Sequence, residues 1–176
     1  MPSPLGLDGN AAHSIIQRVL PLEPAIGRRG RRPRALAAAS EPARRLMQVE
    51  AIGPQTATAL VASMGDPHVF KSGRSYAASL GITPRQHSSG GTNRLGPITR
   101  QGDRYVRTLL IHGARAYLRI VDKRTDGKSA WVRRLKERRH VNVVAVALAA
   151  KHARIAWAML AKGTEYRPVG TEEAAT

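Results

Sequence analysis

From Glu41 onward, apolar residues recur three and four positions apart, in blocks separated by glycine and proline, and no block alternates with a period of two. That pattern places one apolar stripe on each of a series of α-helices and leaves no segment that competes as a strand. Pro42 suits a first helical turn, with Ser40 or Glu41 at the cap and Leu46, Met47 and Val49 on the inner face. The chain turns at Ile52-Gly53-Pro54, and Ala57, Leu60, Val61 and Met64 line a second helix that Gly65 stops. After Asp66-Pro67, with Phe70 as a core anchor, a third helix is predicted over about Ser72 to Leu80, ended by Gly81. Ile82 to Gly96, rich in Ser, Gly, Arg and Thr, reads as a long loop of the kind that is functional or mobile when found inside a compact domain.

Three further helices are predicted beyond that loop. One is capped by Thr99 or Asp103 and runs to about Val121, with Val106, Leu109, Leu110, Gly113 or Ala114, and Tyr117 inward. The next covers about Ser129 to Arg138, with Trp131 and Leu135 inward. The last spans about Asn142 to Lys162 and closes at Gly163. The first 40 residues differ: Pro2, Pro4, Pro21, Pro24 and Pro33 block long helices, a short helix around Ala12 to Leu20 excepted, and Arg28 to Arg34 form a basic run. The expectation is an all-α fold. A single helical domain over residues 41–166 contains a helix–hairpin–helix-like unit, behind a disordered basic tail over 1–40 and ahead of a frayed tail over 167–176.

Charge narrows the partners. Lys and Arg total 29 against 12 acidic residues in 176, a net charge of +17. That excess on a small chain points to a polyanion, and its spread along the chain favours nucleic acid over an acidic membrane surface. With one Phe, two Trp and four Tyr, base-stacking platforms are scarce, so phosphate contacts and helix ends should dominate. The absence of cysteine excludes disulfides, iron–sulfur clusters and thiolate zinc sites. The longest apolar stretch, Val143 to Leu160, is interrupted by Lys151, His152 and Arg154, and the start lacks a signal peptide's apolar core. A protein of the cytoplasm, associated with the nucleoid and not with a membrane, is expected.

Three constellations carry candidate chemistry. In Leu46 to Met64, the Ile52-Gly53 turn and the start of the following helix offer backbone N–H groups to a phosphate; an ordinary helical hairpin packed on a core has the same pattern. The usual turn has two glycines, and here the first position is Ala51, whose Cβ tolerates a positive φ poorly. In Arg85-Gln86-His87-Ser88-Ser89-Gly90-Gly91, a serine hydroxyl could attack a phosphodiester, with His87 as a base and Arg85, Arg94, Arg100 and Arg104 stabilising the phosphorane charge; a flexible linker is the plainer reading. In Gly102 to Leu110, Arg104 and Arg107 are three apart and share a helical face that could straddle a DNA backbone, or simply face solvent. The scattered acidic residues form no paired set for magnesium, and no Walker loop, His-Glu-x-x-His motif or dinucleotide fingerprint is present.

Taken in order, Ile52-Gly53-Pro54-Gln55-Thr56-Ala57, Gly65-Asp66, Phe70-Lys71-Ser72-Gly73-Arg74, Leu80-Gly81-Ile82-Thr83-Pro84-Arg85-Gln86-His87-Ser88-Ser89-Gly90-Gly91 and Gly102-Asp103-Arg104-Tyr105-Val106-Arg107 resemble the C-terminal transposase domain of the IS110 family of insertion-sequence transposases, over about Ala43 to Tyr166. The resemblance implies a helical half that donates a serine nucleophile, Ser89 with Ser88 as the fallback, which forms a transient phosphoserine link to DNA. It also implies an acidic, metal-binding nuclease half that meets the serine across protomers, and a guide RNA encoded by the element. No such nuclease half is legible here, so a truncated member is expected: one that binds DNA through Ile52, Gly53, Arg85, Arg94, Arg100, Arg104 and Arg107 but does not join strands alone. On this reading the chain itself binds no cofactor, and magnesium belongs with the nuclease half. Guide RNA, a second copy or a full-length transposase are the further partners implied. The alternative is a non-enzymatic helix–hairpin–helix DNA- or RNA-binding protein.

Overall fold

A computed structural model describes residues 31–89 and 92–168. The elements run α1 (Arg31–Ala39), α2 (Glu41–Leu46), α3 (Pro54–Met64), α4 (Gly73–Ser79), β1 (Pro84–Ser89), β2 (Thr92–Ile98), α5 (Arg104–Leu118), α6 (Gly127–Lys136) and α7 (Val141–Lys162). Short 3-10 turns lie at Pro67–Val69 and Val121–Lys123. Helix dominates, as the periodicity requires, and the stop and cap signals act where they were read. The Ser40 side chain accepts from the Ala43 N–H at the start of α2, Pro42 sits in its first turn, and Gly163 closes α7 in the left-handed conformation. Of the two candidate caps for α5, Asp103 is the one used: its carboxylate accepts from the N–H groups of Tyr105 and Val106.

Two readings are corrected. Residues Arg31–Ala39, placed in the disordered tail, form a helix that packs on α3 with Ala37 fully buried; the alanines after Pro33 supply helix propensity, and tertiary contact completes it. The short helix expected around Ala12 to Leu20 lies outside the described residues. Ile82 to Gly96 is not a structureless loop either. Most of it is an antiparallel hairpin in which Pro84 pairs with Ile98, Gln86 with Leu95 and Ser89 with Thr92, and a register shift falls between Pro84 and Gln86. The polar run hides the strands because a two-stranded ribbon standing off a domain need not bury one face, so the period-two signal is absent.

α7 is the axis of the core. Val144, Leu148, Ala149, Ala153, Ala156 and Met159 are buried along it, and α4, α5 and α6 pack against it. The α1–α3 layer joins through α3 on α5. By length and composition α7 could cross a membrane, but neighbouring helices cover its Val144, Leu148, Ala149, Ala153, Ala156 and Met159, while Val141 and Val143 at its start are exposed. Phe70 meets Tyr76 edge to face at 5.1 Å, which makes it the anchor expected.

His152 is fully buried on α7 with neither ring nitrogen hydrogen-bonded in the structure, and burial, reinforced by Lys128, pushes its pKa down to about 3. The sign of the consequence is fixed. The unfolded ring takes a proton below about pH 6.5 while the folded ring stays neutral, so stability is complete above that value and falls as the pH drops toward 3. Denaturant unfolding should therefore show a loss approaching 1.4 kcal/mol per pH unit below about 6.5. A His152→Leu variant should lose that dependence between pH 7 and 5; an unchanged slope would mean the ring is not its source.

Candidate nucleic-acid interface

The segment expected to be helix–hairpin–helix-like is α2, the turn after it, and α3. Ala51 adopts φ +73°, the left-handed conformation that a glycine would take without strain. The turn therefore keeps its shape despite the Cβ, because Ile52 is buried in the core and α5 closes on it: a Cβ at Gly113 would lie 2.2 Å from the Ala51 carbonyl oxygen. Ala51→Gly should raise stability by about 1 kcal/mol, about 2–4 °C in Tm by circular dichroism. A lower Tm would show that the Cβ contact outweighs the strain.

Of the two turn residues named as candidates, only Gly53 is exposed. Ile52 points its side chain inward, and its N–H donates to the Val49 carbonyl at 3.0 Å. Gly53 is exposed at the N-cap of α3 with no side-chain cap, so the first turn of that helix offers N–H groups unfilled by the protein's own side chains. The start of α5 is different, because the Asp103 carboxylate already occupies it. The two helix starts are neighbours: Gln55 Nε2 donates to the Tyr105 hydroxyl at 2.9 Å, and Arg104 is exposed beside Tyr105.

Arg107 does not share the exposed face expected of it with Arg104: it is 9% exposed and turned to the core, whereas Arg104 is exposed. The Arg107 guanidinium donates to the carbonyls of Leu80 at 2.9 Å and Gln101 at 3.2 Å. Those two residues flank the hairpin, one before β1 and one after β2. Two backbone bonds complete the neck: the Arg100 N–H to the Gly81 carbonyl at 3.1 Å and the Thr99 N–H to the Thr83 carbonyl at 3.0 Å. The strands leaving Gly81 and returning at Gly102 approach so closely that a Cβ on Gly81 would be 2.0 Å from the Gln101 oxygen, and one on Gly102 would be 1.7 Å from the Ser79 oxygen. Both glycines have positive φ, +67° and +82°. Gly81 is visible in the sequence as a helix stop, and Gly102 only as the start of a helical motif. That they cross, with a buried arginine tying the crossing, depends on segments far apart in the chain meeting in space.

The remaining basic residues divide accordingly. Arg85 and Arg100 are exposed at the base of the hairpin, Arg100 with φ +58°, and Arg85 reaches the Thr99 carbonyl at 3.5 Å. Ser88, Ser89 and Arg94 belong to the paired strands, Ser88 opposite Asn93 and His87 opposite Arg94; their side chains lie outside the described residues, as do Gly90 and Gly91. Among the described residues no group of three or more His, Asp or Glu could hold a metal ion.

Behind the turn lies a polar cluster that the sequence did not announce. Glu50 accepts from Lys128, from Arg124 at 2.8 Å and from the Tyr166 hydroxyl at 3.0 Å. Asp126 accepts from Arg124 at 3.0 Å and from Ser129 at 2.7 Å. Burial works against the charge on both acids, but Lys128 and Tyr166 at Glu50, and Ser129 and Arg124 at Asp126, hold both carboxyls below their ordinary pKa. The cluster ties the turn between α2 and α3 to α6 and to the segment after α7.

Residues 43–130, which span the turn, the neck and α5, match the transposase family described as IS116/IS110/IS902. A probable family 20 transposase of Pseudomonas aeruginosa is 48% identical over 168 residues, 96% of this chain and 49% of that protein. The transposase for insertion sequence element IS1111A of Coxiella burnetii is 44% identical over 153 residues, 87% of this chain and 42% of that protein. The transposase for insertion sequence element IS1328 of Yersinia enterocolitica is 40% identical over 126 residues, 72% and 38% respectively. The chain spans about half, or less, of the length of these curated relatives.

Proposed function

The chain belongs to the IS116/IS110/IS902 family of transposases, and on that premise we propose that it is a part that binds DNA and presents the serine nucleophile. Exposed Gly53, Arg85, Arg100 and Arg104 would hold the phosphate backbone. Ser89, at the end of β1, would attack a phosphodiester. In that step the Oγ–P bond forms, the P–O bond to the adjacent nucleotide breaks, the serine proton passes to a base, and the departing sugar oxygen takes up a proton. The observation that carries the reading is the clamped neck. A polar hairpin is rigidly based between exposed arginines, on a chain of net charge +17.

The described residues do not fit magnesium, since no group of three or more His, Asp or Glu among them could hold it. On this reading the metal-binding carboxylates, a guide RNA and a second copy or full-length transposase are supplied from outside this chain.

The test is a gel assay of the purified chain with DNA from the element's ends, magnesium, guide RNA and a full-length transposase whose own nucleophilic serine is replaced, native for binding and denaturing for covalent adducts. Ser89→Ala should remove any adduct and leave binding intact; if Ser88→Ala does so instead, the fallback serine is the nucleophile. An adduct that survives both would end the serine reading. Arg104→Gln should weaken binding several-fold and lower the slope of log affinity against log salt by about 1, whatever the sequence. If binding occurs without any adduct from the wild-type chain, the non-enzymatic reading of the helix–hairpin–helix unit stands instead. A preference for structured RNA over duplex DNA would favour its RNA-binding form.

A further inference from the structure

A cavity of about 660 Å³ opens between the base of the hairpin and α7. That is the size of a small-molecule site, about 300–1,000 Å³. Its floor is aliphatic, with Ile82 and Ile98 on the hairpin side and Val146 and Ala150 on α7. None of its lining residues is acidic, and three are arginines: Arg74, Arg100 and Arg154. All three are exposed, and none forms an ion pair among the described residues. α4 crosses α7 closely at Gly73, where a Cβ would be 3.0 Å from the Arg154 carbonyl oxygen, so the backbone segments that carry Arg74 and Arg154 meet beside the cavity. A wall with three arginines and no carboxylate favours an anionic occupant.

Two further groups suit a planar heterocycle with polar edges. Trp131 lines the cavity, and Lys151 lies 4.4 Å from its ring centroid. Asn142, in the first turn of α7, also lines it; its Oδ1 accepts from Arg115 at 3.3 Å, and its amide nitrogen is a donor able to bond a base edge. An aliphatic slot ringed by unpaired cations, with one indole and one amide, is complementary to a nucleotide: an apolar-faced base and an anionic backbone.

We propose that this groove receives an unpaired base of the bound nucleic acid strand, with Arg74, Arg100 and Arg154 holding the flanking phosphates. The inference rests on nucleic acid being the partner, and it goes further by naming a pocket for a base out of the duplex. Such a pocket makes binding depend on strand separation, because a stacked, paired base cannot enter it.

The experiment compares a short fluorescein-labelled thymidine oligonucleotide with the same oligonucleotide annealed to its complement. Both are titrated into the full chain carrying Trp157→Phe, so that Trp131 is the only indole. The expected result is quenching of Trp131 by the single strand and not by the duplex. Ala147→Phe, which fills the groove, should weaken single-strand binding about ten-fold and leave duplex binding unchanged. Arg154→Gln, at an exposed position that leaves the fold intact, should weaken single-strand binding more than duplex binding. Equal losses for both probes, or no loss for either, would overturn the groove assignment while leaving the basic surface in place. A change in oligomeric mass on Ala147→Phe would overturn it in favour of a second copy as the occupant. Failure of the unsubstituted chain to bind either probe would instead remove the nucleic-acid reading beneath it.

Discussion

Gly102→Ala should abolish the native hairpin neck. The Cβ would lie 1.7 Å from the Ser79 carbonyl oxygen and on a residue with φ +82°, so clash and backbone strain act together against rigid backbone and no side chain can yield. The cost should exceed about 4 kcal/mol, the range reserved for lesions of this kind. Soluble yield should collapse, or Tm should fall by at least about 8 °C. Arg107→Met tests the same neck more gently. It removes the donors to Leu80 and Gln101 without a clash, leaving two carbonyls to find other partners. If Gly102→Ala melts like the native chain, the close crossing of α4 and the β2–α5 connection is wrong, and with it the clamped base of the serine hairpin.

Glu50→Ala should cost about 3 kcal/mol, a fall of about 6–12 °C in Tm. The loss is not that of one ion pair. Lys128 is 4% exposed at its side chain, and Glu50 is its only carboxylate partner among the described residues, so removal leaves an ammonium buried with only the Tyr166 hydroxyl and the Tyr117 and Tyr166 ring faces nearby. The double variant Glu50→Ala with Lys128→Met separates this from mere loss of packing. Removing the orphaned charge as well should recover most of the stability, because the penalty of an unpaired buried charge is larger than the net worth of the pair. A double variant as unstable as the single would show that the side-chain volume of Glu50, not its charge, holds the turn.

Much of the fold was legible because helices declare themselves locally. The apolar spacing of Ala57, Leu60 and Met64 and the Gly163 stop depend on neighbours within one or two turns, and each is where the pattern put it; the cap of α5 is one of the two residues, Thr99 and Asp103, that the pattern left open. Arg31–Ala39 and the hairpin were not legible for opposite reasons. The first is a short alanine-rich helix that needs α3 to be worth forming; the second is a polar ribbon whose pairing is set by backbone bonds between residues far apart in sequence.

The site divides in the same way. The charge of +17, the motif order and the identities of Ser89, Gly53 and the arginines are properties of the chain alone, since charge and residue type do not depend on folding. Which arginine meets solvent does. Arg104 and Arg107 share a face by spacing, but a helix face has width, and the packing of α5 against the neck decided that Arg104 stays outside while Arg107 is drawn in to two carbonyls. The Glu50–Lys128 pair, the Gly81–Gly102 crossing and the groove between β2 and α7 likewise came only from the tertiary structure, because each joins segments that no local rule connects.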